Sequence, residues 1–395
     1  MNKVWIRQNK LLLSKVLLLL LILIVIMSGL SFFGCIGRGT KPLGWSGVAV
    51  ADNSLFLGSM DGELVALSTS NGMRLWGVAL ETSASTGTFG CAPESTVVAV
   101  YGTPVTEGDL VYVGGYNGKI YVIDSSSGLS REGYLDEDNP QPIVGGPAVA
   151  QGKVFIGCSD GKVYALWADS LEKVRDFQTG DKIWSTPVID GSTVYIGSFD
   201  KKLYALDAAG GSKKWEVETE GAIASPPLIY NNTVYIGSFD RHLYAVNAIT
   251  GKLIWKSSLV ADSWFWAQPL AYNDVIYAGC LDGKVYILDA ESGDEVGDAI
   301  ALENPVCSSP VLVGSSIIVA LENGQVYTID TGSNKASMMV DIKGLAGEEL
   351  TLRAPILAHG EVIYIHAQTK DHGSLLYALN ARTGVKLWSV PLSIE

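Results

Sequence analysis

Histidine and cysteine are scarce in this chain, and charge is scarcer than in most soluble proteins. Its 395 residues include four histidines and five cysteines, and 17% are charged. His242, His359, His366 and His372 fall on separate segments. They form neither a Ser-His-Asp arrangement nor a His-Glu-x-x-His pair, so no nucleophile or zinc-bound water is marked. Cys35, Cys91, Cys158, Cys280 and Cys307 are nowhere at metal-ligand spacing. Basic charge is lacking too. Beyond residue 35 there are 24 Lys and Arg against 41 Asp and Glu, a net charge of −17. That balance argues against a nucleic-acid partner, because phosphate must be neutralised by a basic surface. The acidic run Asp136-Glu-Asp138 lacks the alternating ligands and central glycine of a calcium loop and reads as a solvated turn. The sequence thus offers no catalytic, cofactor or metal residues.

Glycine, tyrosine and tryptophan are plentiful instead. With 44 Gly and 48% hydrophobic residues, the composition suits a turn-rich all-β protein with a large core. The stretch Thr193 to Trp215 is nearly restated forty residues later as Thr233 to Trp255. Each copy reads as three strands parted by two turns. Thr193 to Ile196 is β-branched and aromatic, Leu203 to Leu206 resumes after Gly197-Ser-Phe-Asp200, and Lys213 to Val217 carries Trp215 after a small-residue turn. A fourth strand precedes them at Ser185-Thr-Pro-Val-Ile, where the proline fits a strand's first position.

Eight such units follow one another, registered on Phe56, Tyr112, Phe155, Tyr195, Tyr235, Tyr277, Ile318 and Tyr364. Their spacings of 56, 43, 40, 40, 42, 41 and 46 residues match four-stranded propeller blades rather than a helical solenoid. The last unit is degenerate, with an enlarged turn expected over Ala367 to Ser374. The Asp-Gly pairs are hairpin turns, where positive φ is required. The expected fold is therefore an eight-bladed β-propeller of four-stranded antiparallel blades over residues 44–395, closing on itself as a monomer. Sequence does not say how the ring closes.

The first 35 residues stand apart. Lys3, Arg7, Lys10 and Lys15 precede an uncharged run from Val16 to Phe33. A positive flank before such a run is a targeting or anchoring signal whose positive end stays in the cytoplasm. Ser31-Phe-Phe-Gly-Cys35 resembles a bacterial lipoprotein signal, which implies acylation of Cys35. As an uncleaved helix, the 18 apolar residues would extend about 27 Å, near the thickness of a bilayer core. Either reading tethers the remainder outside the cytoplasmic membrane, through a linker at 36–43.

The recurring Tyr-Ala-Leu-Asp-Ala, Thr-Gly and Trp, fullest at Tyr377 to Trp388, resembles pyrroloquinoline-quinone-type propeller repeats. In that family the outer-strand Trp docks on the neighbouring blade, which implies structural roles for Trp76, Trp215, Trp255 and Trp388. Blades 2, 3, 6 and 7 lack a Trp there. Enzymes of this fold hold their quinone with calcium, an Asp base and adjacent cysteines. This chain has no adjacent Cys pair, so the quinone is a cofactor only in an alternative reading. Cys158 and Cys280 take the place of Ser198 in their own blades and read as small strand residues. A Cys280–Cys307 link stays open. Eight blades behind a lipoprotein-like signal also resemble the BamB family of the outer-membrane assembly machinery, which implies a non-catalytic scaffold binding envelope proteins.

One face of the disc should collect the turns between second and third strands together with the interblade loops. Its tips carry Met60, Tyr116, Phe199, Phe239 and Leu281, and its loops carry Trp184, Trp264-Phe-Trp266 and the segments 77–99, 129–145 and 341–353. Apolar residues there mark candidate contacts. Phe199 and Phe239, being repeated, fit packing against the next blade as well as contact with a partner. Trp266 aligns with Trp184 and Trp45 and reads as structural, whereas Trp264 and Phe265 have no counterparts. Candidate partner-binding residues are thus Trp264, Phe265, Phe199, Phe239 and Tyr116. Three functions fit: an envelope protein scaffold, a quinoprotein oxidoreductase or its relic, and an extracytoplasmic carbohydrate or ligand sensor.

Overall fold

A computed structural model describes residues 44–80, 83–84, 95–96, 98–371 and 373–392. The signal or anchor at 1–35 with Cys35, the linker at 36–43, Cys91 and His372 lie outside the described residues. Eight antiparallel sheets follow in chain order, each containing four sequence-consecutive strands. Blade 4 shows the pattern: Val188–Asp190, Thr193–Gly197, Lys202–Asp207 and Lys213–Glu218. Its first strand begins after Pro187 rather than at Ser185, consistent with a proline that has no N–H for the ladder. Ser83–Ala84 and Ser95–Thr96 form a two-stranded ladder.

Burial explains why second and third strands read as unbroken apolar runs. Tyr195–Ile196 and Leu203–Leu206 are buried along their length because both faces of these strands are covered by neighbouring blades. One seam, for example, packs Tyr195, Leu203 and Ala205 of blade 4 against Val234, Ile236 and Tyr244 of blade 5. Outermost strands alternate instead, as Arg74–Ala79 does, because one face meets water. Close approach requires the glycine that ends the second strand. A Cβ on Gly197 would lie 2.2 Å from Cγ2 of Ile223.

Blade 8 departs from the expected enlarged turn. Its middle strands extend to Val362–Thr369 and Ser374–Asn380, and Leu350–Thr351 adds a fifth strand against Gln368 and Thr369. The turn is a longer hairpin because the added strand satisfies its edge. Closure needs no exchanged strand among the described residues. Val48, Leu55 and Leu57 of blade 1 bury against Tyr364, Leu376 and Leu392. Trp388 donates Nε1–H to Thr69 O, and Arg74 Nη1 donates to Leu392 O, each at 3.3 Å. His366 occupies the position of Gly197, and the aligned partner in blade 1 is Gly44 rather than a branched residue. Its Nδ1–H donates to Ser46 O at 2.7 Å, while Nε2 is buried without a partner among the described residues.

Candidate interaction site on the loop face

The outer-strand tryptophans are built into the seams. Trp76, Trp215, Trp255 and Trp388 each pair across the ladder with an alanine, Ala66, Ala205, Ala245 and Ala378, whose small side chain leaves room for the indole. Trp215 and Trp255 donate Nε1–H to Ala248 O and Ala290 O of the next blade, at 3.0 and 3.1 Å. Beneath Trp255 lies Gly293, with φ of 75°, where a Cβ would come within 2.5 Å of the ring. Blades 2 and 3, which lack this Trp, have Arg131 and Arg175 at the position. Both reach across to carbonyls of the next blade, Asp169 O and Gly210 O.

The loop face carries a cluster of rings drawn from three blades. Residue 184 enters the first strand of blade 4, residue 199 tips its middle hairpin, and the two indole and phenyl centroids are 4.7 Å apart. Phe199 meets Phe239, the equivalent tip of blade 5, at 5.7 Å. Phe239 stacks on Trp264 at 4.6 Å with planes 10° apart, and lies 6.0 Å from Trp266. Trp266 in turn reaches Trp184 at 6.4 Å. That contact skips blade 5, whose aligned residue is the small Ala224. Lys182 Nζ lies 4.6 Å from the centroids of both Trp184 and Phe199, so a cation caps one end of the apolar surface.

Trp264 is 48% exposed, and the other four rings are half-buried. Phe265 corrects the sequence expectation. It is 1% exposed, packs between blades 5 and 6, and covers Gly237 where Ile223 covers Gly197. It therefore has counterparts, and it is core rather than contact surface. Tyr116 is exposed but belongs to a second strip, 5.3 Å from Tyr101, which meets Trp45 edge-on at 4.5 Å. Sequence reasoning missed Trp184 and Trp266 as members of the cluster because repetition suggested packing alone. The available signal was their alignment at first-strand entries on either side of Ala224.

The polar groups nearby are largely committed. Asp200 accepts from Tyr204 Oη–H and Gly180 N–H, both at 2.6 Å, and from Lys202 N–H at 3.0 Å. Asp240 repeats the set with Tyr244, Glu220 and His242. These carboxylates tie each tip to the loop entering its blade, and burial, with the hydrogen bond to Asp200 added to it, raises the Tyr204 phenol above its ordinary value. His242 contacts Ser257 O through Nδ1, and His359 is exposed. Asp136 turns its own loop by accepting from Asp138 and Asn139 N–H groups. Among the described residues no group of three His, Cys, Asp or Glu is placed to hold a metal. No helix of the described residues is long and apolar enough to cross a membrane.

Cys158, Cys280 and Cys307 are free thiols, each pushed up to about 12 chiefly by burial. The native protein is accordingly expected to leave all three unmodified by iodoacetamide at pH 8, with labelling only after unfolding. Mass spectrometry of the alkylated peptides checks this, and rapid native labelling at Cys158 would contradict it.

A family model described as outer membrane protein assembly factor BamB matches residues 39–176 and 165–390. The crystal structure of BamB from Moraxella catarrhalis superposes with a TM-score of 0.67 at 18% identity, covering 84% of this chain and 95% of that one. The computationally designed Ika8 protein gives 0.67 at 15% identity, covering 86% and 97%. Both likenesses are of fold. A 1-butanol dehydrogenase (cytochrome c) of Thauera butanivorans is 32% identical over 111 residues, 27% of this chain and 15% of the enzyme. The chain thus spans a small part of that curated relative. By the family match, which runs through all eight blades, the chain belongs to the outer membrane protein assembly factor BamB family.

Proposed function

We propose that this chain is a non-catalytic, membrane-tethered propeller of the cell envelope that holds another envelope protein on its loop face. The observation that carries the reading is the cluster around Trp264, where rings from three blades form one continuous partly exposed surface. Aromatic residues held rigid by packing supply contact area at low entropic cost, which suits an interface centre. Trp264, Phe199 and Phe239 are the contact residues, with Trp184 and Trp266 as their support. Membership in the BamB family supports a scaffold rather than an enzyme. The tether is supplied by acylated Cys35 or by an uncleaved 16–33 helix.

Photocrosslinking in intact cells tests the reading. A photoreactive residue at Trp264 is expected to capture a discrete envelope protein, while one at Asn232, in the exposed first turn of blade 5 on the opposite face, is not. Equal capture from both, or none from Trp264, overturns it. For the tether, Cys35→Ser is expected to abolish incorporation of radiolabelled palmitate. Retained membrane association without wild-type labelling would favour the helix.

A second reading, a quinone-binding relic, is favoured by the partial match to the butanol dehydrogenase. Its test is direct titration of the chain with pyrroloquinoline quinone and calcium. Saturable binding at micromolar quinone would support it.

A further inference from the structure

The charges bordering the aromatic cluster narrow what it takes. Lys182 lies over two of its rings, and no carboxylate of the described residues is within ion-pair distance of it. Two more cations stand in the tips themselves. Lys201 and Arg241 follow Phe199 and Phe239 by two residues, both at positive φ, 72° and 73°, and both exposed. Neither makes an ion pair among the described residues.

Neighbouring cations behave differently. Lys202 pairs with Glu216 at 2.8 Å, Lys256 with Glu220 at 2.7 Å and Lys284 with Asp262 at 2.8 Å. The tip carboxylates Asp200 and Asp240 each receive three donors, as described above. In a chain whose net charge is −13, this face thus combines an apolar platform with three cations that make no ion pair among the described residues, one of which, Arg241, stands near enough to a carboxylate, Asp262, to lower its pKa.

We infer that the cluster recognises an acidic polypeptide segment, one in which an aromatic side chain lies between carboxylates. The aromatic residue stacks on the open side of Trp264 and Phe239, and the flanking carboxylates pair with Lys182, Lys201 and Arg241. This rests on the protein-binding reading above and names its partner chemistry. A basic segment would meet unpaired cations at the platform. Neutral sugar would stack on the rings but leave the cations unanswered. Charge pairing at the edge of an apolar contact confers specificity and faster association more than raw affinity.

The test uses the full chain in detergent and a dye-labelled twelve-residue peptide with one phenylalanine between two pairs of glutamates in a glycine-serine background. Control peptides replace the glutamates by glutamine or lysine, or the phenylalanine by alanine. Fluorescence anisotropy is expected to show the parent peptide binding about tenfold or more tightly than every control, with the advantage over glutamine shrinking at high salt. The triple variant Lys182→Gln, Lys201→Gln, Arg241→Gln should erase the preference for glutamate while leaving binding of the glutamine peptide unchanged. Trp264→Ala should weaken all phenylalanine peptides. Far-ultraviolet circular dichroism confirms that each variant is folded.

Equal binding of glutamate and glutamine peptides, stronger binding of the lysine peptide, or a triple variant that keeps the glutamate preference overturns the inference. Capture of an envelope protein from Trp264 without any charge preference sinks this inference alone, whereas absence of capture sinks the protein-binding reading.

Discussion

Trp255→Ala is expected to destabilise the propeller by about 3–5 kcal/mol, the range for removing a buried large aromatic. Trp255 is the most enclosed of the four outer-strand tryptophans, 8% exposed, and serves two blades at once. Within blade 5 it lies 5.8 Å from the Tyr235 ring. Across the seam it covers Gly293 and donates to Ala290 O, the same carbonyl that accepts from Tyr235 Oη–H at 3.0 Å. Truncation therefore opens a cavity and removes one of two donors from a buried carbonyl. Each blade is stabilised chiefly by its neighbours, so a weakened seam lowers the stability of the array rather than of one sheet. Trp255→Phe keeps much of the area and loses the donor, with an expected cost of about 1 kcal/mol beyond the difference in size. Gly293→Ala should also be severe, because φ of 75° disfavours a side chain and the new Cβ would meet the indole. Urea unfolding of the full chain in detergent, followed by tryptophan fluorescence, measures all three. A midpoint for Trp255→Ala within experimental error of wild type would remove the indole from any role in the seam.

The blades were legible because the repeat writes the same physics eight times. Tyr195 and Tyr235, like Trp215 and Trp255, sit at fixed spacing because each must reach the same carbonyl of the following turn, Ala248 O and Ala290 O. Where a different residue solves the same packing problem, the sequence is harder to read. Arg131 and Arg175 replace the indole with a long stem and a guanidinium donor, which spacing alone does not identify as equivalent. Phe265 was misleading for a related reason. Flanked by Trp264 and Trp266 it resembles an exposed aromatic run, yet alternation sends it inward to the place held elsewhere by Ile183, Ile223 and Val306. The candidate site was legible in its tips and not in its extent. Phe199, Phe239 and Trp264 were visible as apolar residues in turns, whereas the meeting of Trp184 with Trp266 depends on the ring bringing blades 4 and 6 close above Ala224.

The propeller is expected to lose stability as pH falls below about 6.5, and His366→Asn should remove much of that dependence between pH 6.5 and 5. His366 is 3% exposed in the closing seam, where it replaces a glycine and faces backbone of blade 1. Ser46 O holds the proton on Nδ1. Nε2 has no acceptor among the described residues, so a second proton would place an unpaired charge in the core. Burial accordingly lowers the imidazole below its ordinary value, and the hydrogen bond to Ser46 opposes this only in part. No charged side chain contributes to the shift. The unfolded chain takes up this proton near pH 6.5 and the folded chain only at lower pH. Stability is therefore complete above the unfolded value and falls by up to about 1.4 kcal/mol per pH unit until the folded value is reached. Asparagine can still donate to Ser46 O but does not titrate, so the variant should show a flatter profile even where its absolute stability is lower. Unfolding midpoints in urea at half-unit steps from pH 8 to 5 give the two slopes. If wild type and His366→Asn decline in parallel, the acid sensitivity resides in other groups and closure does not depend on a neutral histidine. If the wild-type slope alone is steep, the seam between blades 8 and 1 is held shut by an imidazole that must remain uncharged.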